Sequence, residues 1–597
     1  MMIKVTDYIA KRLSEHGIKD IFMISGGGAM HLNDSLGNHP ALKYWTNHHE
    51  QASAIAAEGY YRASGKMAVV NITSGPGGLN CLTGVMGQWT DSIPVLYISG
   101  QVKYETTIYS CPEIGLRQLG DQEVDIINIV KPLTKSAVLL DNPYNVKYVL
   151  DKAVYIANSG RKGPVWIDIP LNVQGAMIDE SKLIDYNSIE DEFLENKNEL
   201  DENVNKVVEL LLNSKRPVII SGHGIRLSGG RNVFLNLIQS LKIPVLTTFN
   251  GMDLIPTDHA NYAGRIGTLG NRSGNFALQN ADLILCLGSR NNIRQVSYNW
   301  NDFAHKAFKI IVDIDKAELK KTTIKPDLSI KVDAKVFCKI LSNKLDKKEI
   351  PDYSAWLDWT KKRLIKYPSV LPEYAKSEKI HPYYFVKRLS ELMSFDDVMI
   401  AGNGSACVAA FQASSVKDGQ RMFWNSGCAA MGYDLPASIG ASIGLGKSKI
   451  ICLAGDGSIQ MNIQELQTIV HFKLPVKIFY LNNGGYISIK QTQDNFFEAR
   501  KVACDASSGV TFPDVSKLAN AYNLPFISVN STIEIDTKLE YILRQPGPLL
   551  CEVVLSSNYI FSPKVSSEKL PDGRMVSKPL EDMFPFLERN EYNSNFL

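Results

Sequence analysis

The sequence predicts an α/β protein of three successive doubly wound domains, each built on a parallel sheet. Short β-branched and aliphatic runs recur between helical stretches along the whole chain. They are continuous rather than alternating, as strands buried on both faces by helices are. The 597 residues leave room, at roughly 150 per domain, for three large units or four smaller ones. The runs arrive in three blocks, which points to three domains rather than one large sheet.

In the first block the strand runs are 67–72, 94–98 and 164–169. The second has 217–221, 244–247, 282–287 and 308–313, and the third 398–401, 449–454, 476–481 and 548–555. The joints follow from composition. We place the first domain over 1–177 and an acidic linker over 178–202, which holds ten carboxylates against two lysines. The central domain covers 203–345. A connection rich in Lys, Tyr and Pro spans 346–382 and is expected to be irregular or loosely helical. The third domain covers 383–560, and 561–597 is a tail that could fold over a site or a neighbouring subunit.

Composition excludes several classes of function. Lys+Arg 64 against Asp+Glu 62 gives a net charge of +2, so nothing suggests a nucleic-acid or polybasic membrane partner. Nine cysteines without a CxxC pair are neither a disulfide framework nor a zinc signature, and a cytoplasmic setting is expected. The N-terminus is charged from its fourth residue, unlike a signal peptide. The longest uncharged run, 67–90, holds five glycines and a proline and cannot span a bilayer.

The strongest chemical signal lies in the third block. The run 449–454 ends at Gly455-Asp456-Gly457-Ser458, and the run 476–481 ends at Asn482-Asn483, 27 residues beyond Asp456. Glycines permit a sharp turn and close backbone approach. Asp456 and Asn483 supply hard oxygens at adjacent strand ends, a set that suits Mg²⁺ holding a diphosphate. Backbone N–H groups of Gly457, Ser458 and the following helix start suit phosphate oxygens. The bland alternative, a mere strand-to-helix turn, accounts for a lone Gly-Asp-Gly but not for the paired asparagines at this spacing.

This motif resembles that of the thiamine diphosphate (ThDP) enzymes, and further segments are similar to the acetolactate synthase family. They are Asp20-Ile21-Phe22 with Gly26-Gly27, His49-Glu50-Gln51, Ala56-Ala57-Glu58-Gly59-Tyr60, Thr73-Ser74-Gly75-Pro76-Gly77 and Asp91-Ser92-Ile93-Pro94. Gly100-Gln101-Val102, Gln122-Glu123, Ile167-Asp168-Ile169-Pro170 and Met431-Gly432-Tyr433 continue the match, in order, over roughly residues 1–555. The resemblance implies pyrimidine-binding, central and diphosphate-binding domains. It implies a homodimer or dimer of dimers with active sites between subunits. The reaction implied is decarboxylation of a 2-oxo acid, pyruvate above all, and transfer of the acyl unit to a carbonyl acceptor.

In that family Glu50 would hydrogen-bond the cofactor's aminopyrimidine and Gln122 would lie near the reacting carbon. Asp456, Asn483 and the carbonyl of Gly485 would hold Mg²⁺. Met431 would wedge the cofactor into its bent shape. Gly26, Gly27, Ser74 and Asn80 would line its pyrimidine end, and Asn403, Gly404, Ser405, Gly455, Gly457 and Ser458 its diphosphate end. His48 and His49 could carry protons, as paired histidines do in pyruvate decarboxylase, although packing around Glu50 is the plainer role. Gly222-His223-Gly224, Gly288 to Arg294 and Asp313-Ile314-Asp315 fall where relatives contact FAD. Arg290 and Arg294 are retained, but the residues between them differ, so flavin binding stays open.

Three departures bear on the acceptor. The family's selective Trp is Thr492, its Phe before Gln122 is Asp121, and the Pro before the Gly-Gly pair is Ser25. Lost bulk and added polar groups suit a larger polar acceptor such as a nucleotide-linked keto sugar, an alternative to acetolactate synthesis. A simple decarboxylase or a C–C hydrolase uses the same machinery. A non-catalytic ThDP-fold subunit would not need Glu50, Asp456, Asn483 and Met431 together.

Overall fold

The computed structural model describes residues 1–191 and 197–597. Three six-stranded parallel sheets succeed one another along the chain. In the first, the order across the sheet is Lys43–Thr46, Asp20–Met23, Val69–Ile72, Leu96–Gln101, Val165–Pro170, Ser136–Leu139. The third runs Arg421–Phe423, Val398–Ala401, Ile450–Gly455, Val476–Asn482, Leu549–Val554, Phe526–Val529. Taken in chain order, both sheets go second, first, third, fourth, sixth, fifth. The middle sheet differs: Tyr262–Arg265, Val245–Thr247, Pro217–Ser221, Leu283–Leu287, Phe308–Asp313, Leu328–Lys331. That order, third, second, first, fourth, fifth, sixth, is the one dinucleotide-binding folds use.

Central strands such as Val69–Ile72, Leu283–Leu287 and Ile450–Gly455 are buried at every residue, as their continuous apolar runs require. The first and third domains share one hydrophobic core, joined by two small-residue helices. Helix Glu50–Ser64 is capped by His49, whose ring nitrogen accepts from Gln51 N, and ends at Gly65 in the left-handed region. It packs on helix Asp434–Gly444 backbone to backbone. A Cβ at Gly59 would lie 2.2 Å from the Ala437 carbonyl oxygen, and one at Gly440 would lie 1.8 Å from that of Ala56.

The acidic stretch 178–202 lies partly outside the described residues, at 192–196. Its start carries the strand Met177–Asp179, antiparallel to Met2–Lys4. Its end belongs to helix Lys197–Asn213, which buries Leu200, Val204, Val207, Val208 and Leu211 on one face and keeps its charges outward. The connection 346–382 contains a regular helix, Ser354–Lys366, anchored by Trp356 Nε1 donating to the Pro217 carbonyl. The tail lies on the middle domain. There Arg272 donates to the Met583 and Pro585 carbonyls, Asn275 to that of Leu580 and Asn280 to that of Asn595. Among the described residues no helix is long and apolar enough to cross a membrane.

Candidate active site

The carboxyl edge of the third sheet gathers the predicted metal loop. Asp456 stands directly after Ile450–Gly455 and Asn483 directly after Val476–Asn482, neighbouring strands in parallel register. Asp456 is 3% exposed and Asn483 6%. One carboxylate oxygen of Asp456 accepts from Asn483 N (2.9 Å) and Gly485 N (3.1 Å), the other from Gly457 N (2.8 Å). Burial pushes this carboxyl up to about 6, against the pull of those N–H groups. The Gly485 carbonyl accepts from Ile487 N. Gly485 has φ +144°, and a side chain there would strike the Cys504 carbonyl at 2.4 Å. Among the described residues there is no cluster of three His, Cys, Asp or Glu side chains fit for a metal. Asp456 with the Asn483 amide and the Gly485 carbonyl is the candidate hard-oxygen set.

Two helices start at this edge after glycines that supply no side-chain cap, Asp456–Ile459 after Gly455 and Ser405–Ala413 after Gly404. Uncapped N–H groups suit phosphate oxygens. Contrary to the expectation for Gly457, its N–H is taken by the Asp456 carboxylate, so the Ser405 helix start is the freer of the two. Gly404 has φ +92° with open space where a side chain would be. Ser405 Oγ accepts from Asn483 Nδ2 (3.2 Å). Asn403 is spent within the chain, its Nδ2 donating to Asn425 Oδ1 and the Ala430 carbonyl, both at 2.7 Å. It therefore shapes the turn that leads to Met431.

That turn is held by Ser458 of the motif together with residues no motif announced. Ser458 Oγ accepts from Gly432 N (2.9 Å) and donates to Asp434 (2.5 Å), whose fully buried carboxyl is pushed up to about 6 by desolvation. Asn462 Nδ2 donates both to the Gly432 carbonyl (2.8 Å) and to Gln51 Oε1 (2.9 Å), so the half-buried Met431 turn is tied to the residue beside Glu50. Buried Glu465 accepts from Asn47 Nδ2 and His48 N, fixing the approach to Glu50 from the other side. Asn462 and Glu465 follow Asp456 on one short helical run. That proximity was the only sequence signal they carried.

At the carboxyl edge of the first sheet, Glu50 Oε2 accepts from Asn80 Nδ2 at 2.9 Å. Asn80 is thus a partner of the carboxylate. Gly77 brings backbone close, its would-be Cβ 3.6 Å from Glu50 Oε1. Gly26 and Gly28 pack against Thr73 and Ser74, with Gly28 N donating to Thr73 Oγ1, while Gly27 faces open space. Gln122 is exposed at φ +63°, and its carbonyl lies where a side chain on Gly75 would be. A non-glycine residue in the left-handed region is a strained placement typical of functional loops. His49 serves as the helix cap, and His48 contributes its backbone N–H to Glu465.

In the middle domain a crevice opens between Pro217–Ser221 and Leu283–Leu287, where the strand order reverses. Gly222, Gly224, Gly288, Arg290 and Asp313 line it. Arg290 approaches Asp91 at 3.8 Å. Arg294 is not among the lining residues, and its guanidinium lies over the Phe249 ring, 4.9 Å from the centroid.

The three domains match family models in the same order. Residues 3–128 match the N-terminal thiamine pyrophosphate (TPP) binding domain of thiamine pyrophosphate enzymes, 204–341 their central domain and 402–553 their C-terminal TPP binding domain. The chain is 33% identical to the acetolactate synthase large subunit of Cyanidium caldarium over 93% of its own length and 94% of the relative's. It is 30% identical to the large subunit from Lactococcus lactis, covering 92% of each chain. It is also 30% identical to a chloroplastic acetolactate synthase of Nicotiana tabacum, covering 94% of this chain and 84% of that one. The chain belongs to the acetolactate synthase family of thiamine pyrophosphate enzymes. It is an enzyme of the fold expected from its sequence, and ThDP is its cofactor. Its residues fit the cofactor's Mg²⁺-diphosphate end. The buried Asp456 carboxyl would be returned to its ionised form by a divalent cation, and the uncapped helix start at Ser405 shares its sheet edge.

Proposed function

We propose that the chain decarboxylates pyruvate and joins the remaining acyl unit to a second pyruvate, forming acetolactate. The observation that carries this is that the chain builds both halves of a ThDP site, Glu50 held by Asn80 at one sheet edge and buried Asp456 beside Asn483 at another. Asn462 ties Gln51, next to Glu50, to the Met431 turn, whose Gly432 N is held in turn by Ser458 of the metal loop. The two halves of one chain are thereby set at a fixed spacing, ready to meet the complementary halves of a second copy. ThDP, when bound, supplies the carbon nucleophile and the electron sink for decarboxylation. Glu50 would hold and exchange a proton at the pyrimidine, kept in position by Asn80. Asp456, Asn483 and the Gly485 carbonyl would hold Mg²⁺, and the helix starts at Gly404 and Gly455 the phosphate oxygens. Met431 would press on the cofactor between its two ends. Gln122, at the open edge, would orient the acceptor carbonyl.

The polar-acceptor alternative is not favoured. Of the three departures it drew on, Thr492 donates its hydroxyl to the Ser488 carbonyl of its own helix (3.0 Å), while Asp121 is exposed. The relatives that match over nearly the whole chain are acetolactate synthases.

We further assign a homodimer with the site between subunits. Exposed apolar side chains flank both halves of the site, Leu79, Met86 and Leu119 in the first domain and Met461, Ile489 and Phe497 in the third. The strand order and glycine-lined walls of the middle crevice support FAD as its occupant, and a flavin band in the spectrum of purified protein tests it. All nine cysteines are free thiols, seven of them buried, which supports a reducing, cytoplasm-like compartment.

The test is to incubate purified protein with ThDP, Mg²⁺ and pyruvate and identify every product by mass. Acetolactate is expected. Acetaldehyde alone would mean that the acceptor is not pyruvate, and no consumption would move the donor away from pyruvate.

A further inference from the structure

We infer that Tyr559, in the segment that follows the last strand, is a positioning residue for the metal-binding amide of Asn483. The inference rests on the assignment of Asn483 as a Mg²⁺ ligand. Tyr559 stands outside every motif of the sequence, yet its hydroxyl donates to Asn483 Oδ1 at 2.6 Å.

An asparagine amide presents an oxygen and an NH₂ group of nearly equal size, and only the oxygen can ligate a cation. Something must decide which faces the metal. Asn483 Nδ2 donates to the Leu481 carbonyl and to Ser405 Oγ, both at 3.2 Å. The Leu481 carbonyl can only accept, so it fixes the nitrogen end. Tyr559 fixes the oxygen end from the other side. An amide oxygen has two lone pairs. Tyr559 takes one and leaves the other for a cation.

The tyrosine is itself built in. It is 5% exposed, and its ring meets His381 and Phe561 edge-on, with centroids 5.6 and 5.4 Å away. Tyr374 stacks on the far side of His381 at 3.6 Å. The Tyr559 carbonyl accepts from Gln491 Nε2 (3.0 Å), and the Pro563 carbonyl from Gln412 Nε2 (2.5 Å). Leu555 N donates to the Asn482 carbonyl, so the segment leaves the sheet beside the asparagine pair. Held at both ends, the hydroxyl sits between Asn483 Oδ1, to which it donates at 2.6 Å, and the neighbouring Ser405 side chain.

Removing the hydroxyl while keeping the ring isolates this role. Calorimetric titration of ThDP at a series of Mg²⁺ concentrations would be run on full-length wild type, Tyr559→Phe, Asn483→Ala, the double variant and Asp456→Ala. Tyr559→Phe is expected to raise the Mg²⁺ concentration for half-maximal ThDP binding about 10-fold, the scale of losing an outer partner of a metal ligand. Thermal unfolding without cofactor should fall only slightly, by the effect of one buried hydrogen bond. In the Asn483→Ala background the same substitution should add nothing, because the group it positions is gone. An unchanged or lowered Mg²⁺ requirement in Tyr559→Phe would overturn the inference. So would an equal loss in the Asn483→Ala background. If Asp456→Ala also left Mg²⁺ dependence intact, the failure would lie in the metal-site assignment. Loss there with none in Tyr559→Phe would sink only the role of the tyrosine.

Discussion

At the residue scale, the site depends on side chains that hold other side chains. Asn80 gives Glu50 a charge-assisted hydrogen bond, and such bonds contribute about 1.5–3 kcal/mol. Asn80→Ala should lower kcat roughly 10- to 100-fold while leaving ThDP affinity nearly unchanged, as steady-state kinetics and a binding titration would report. Unaltered kcat would mean that Glu50 is held by something else. Asp168 offers a pH test. It is fully buried, accepts from Ser99 Oγ and Gln101 Nε2, and burial pushes its carboxyl up to about 7. A carboxyl raised on folding favours the protonated folded form. Its stabilisation is complete below the unfolded value of about 4 and is lost as pH rises through 7. The wild type should therefore lose stability across that window, on the order of 4 kcal/mol from this group, relative to Asp168→Asn. Denaturant unfolding of both proteins between those pH values checks it, and parallel curves would refute it.

At the element scale, the contact between helices Glu50–Ser64 and Asp434–Gly444 sets how the first domain sits on the third. Gly440→Ala would drive a Cβ to 1.8 Å from the Ala56 backbone oxygen, which cannot move aside as a flexible side chain could. A loss of about 3 kcal/mol or a failure to fold is expected. Gly37→Ala, where the new Cβ meets only the Tyr44 ring at 3.8 Å, should be tolerated. Thermal melts compare the two. Elements also explain what the sequence made legible. Each of the eleven apolar runs became a strand, and each lies inside its sheet. The six edge strands of the three large sheets are not marked by such runs, nor is Asp20–Met23. Lys43–Thr46 and Leu328–Lys331 bury one residue each, so no continuous apolar run marks them. Asp456 and Asn483 were legible because glycines and paired asparagines close strands in a fixed spacing. Asn462, Glu465 and Tyr559 were not, because each acts through a contact between distant segments that local pattern does not encode.

At the scale of the whole molecule, two sheets of identical strand order carry the two ends of the cofactor site, and a third of different order carries a separate crevice. The apolar side chains left exposed beside Glu50 and the metal loop predict a dimer. Light scattering should give twice the chain mass, and activity should fall on dilution below the dissociation constant. A monomer with full activity would remove the shared site. The central claim is that Glu50 does the proton work while Asp456 anchors the cofactor through Mg²⁺. The measurement that tests it most directly pairs ThDP binding with pyruvate turnover in Glu50→Gln and Asp456→Ala. Glu50→Gln should bind ThDP like the wild type and lose about 100- to 10,000-fold in turnover. Asp456→Ala should lose Mg²⁺-dependent ThDP binding itself. Full turnover in the first variant, or undiminished binding in the second, would contradict the account.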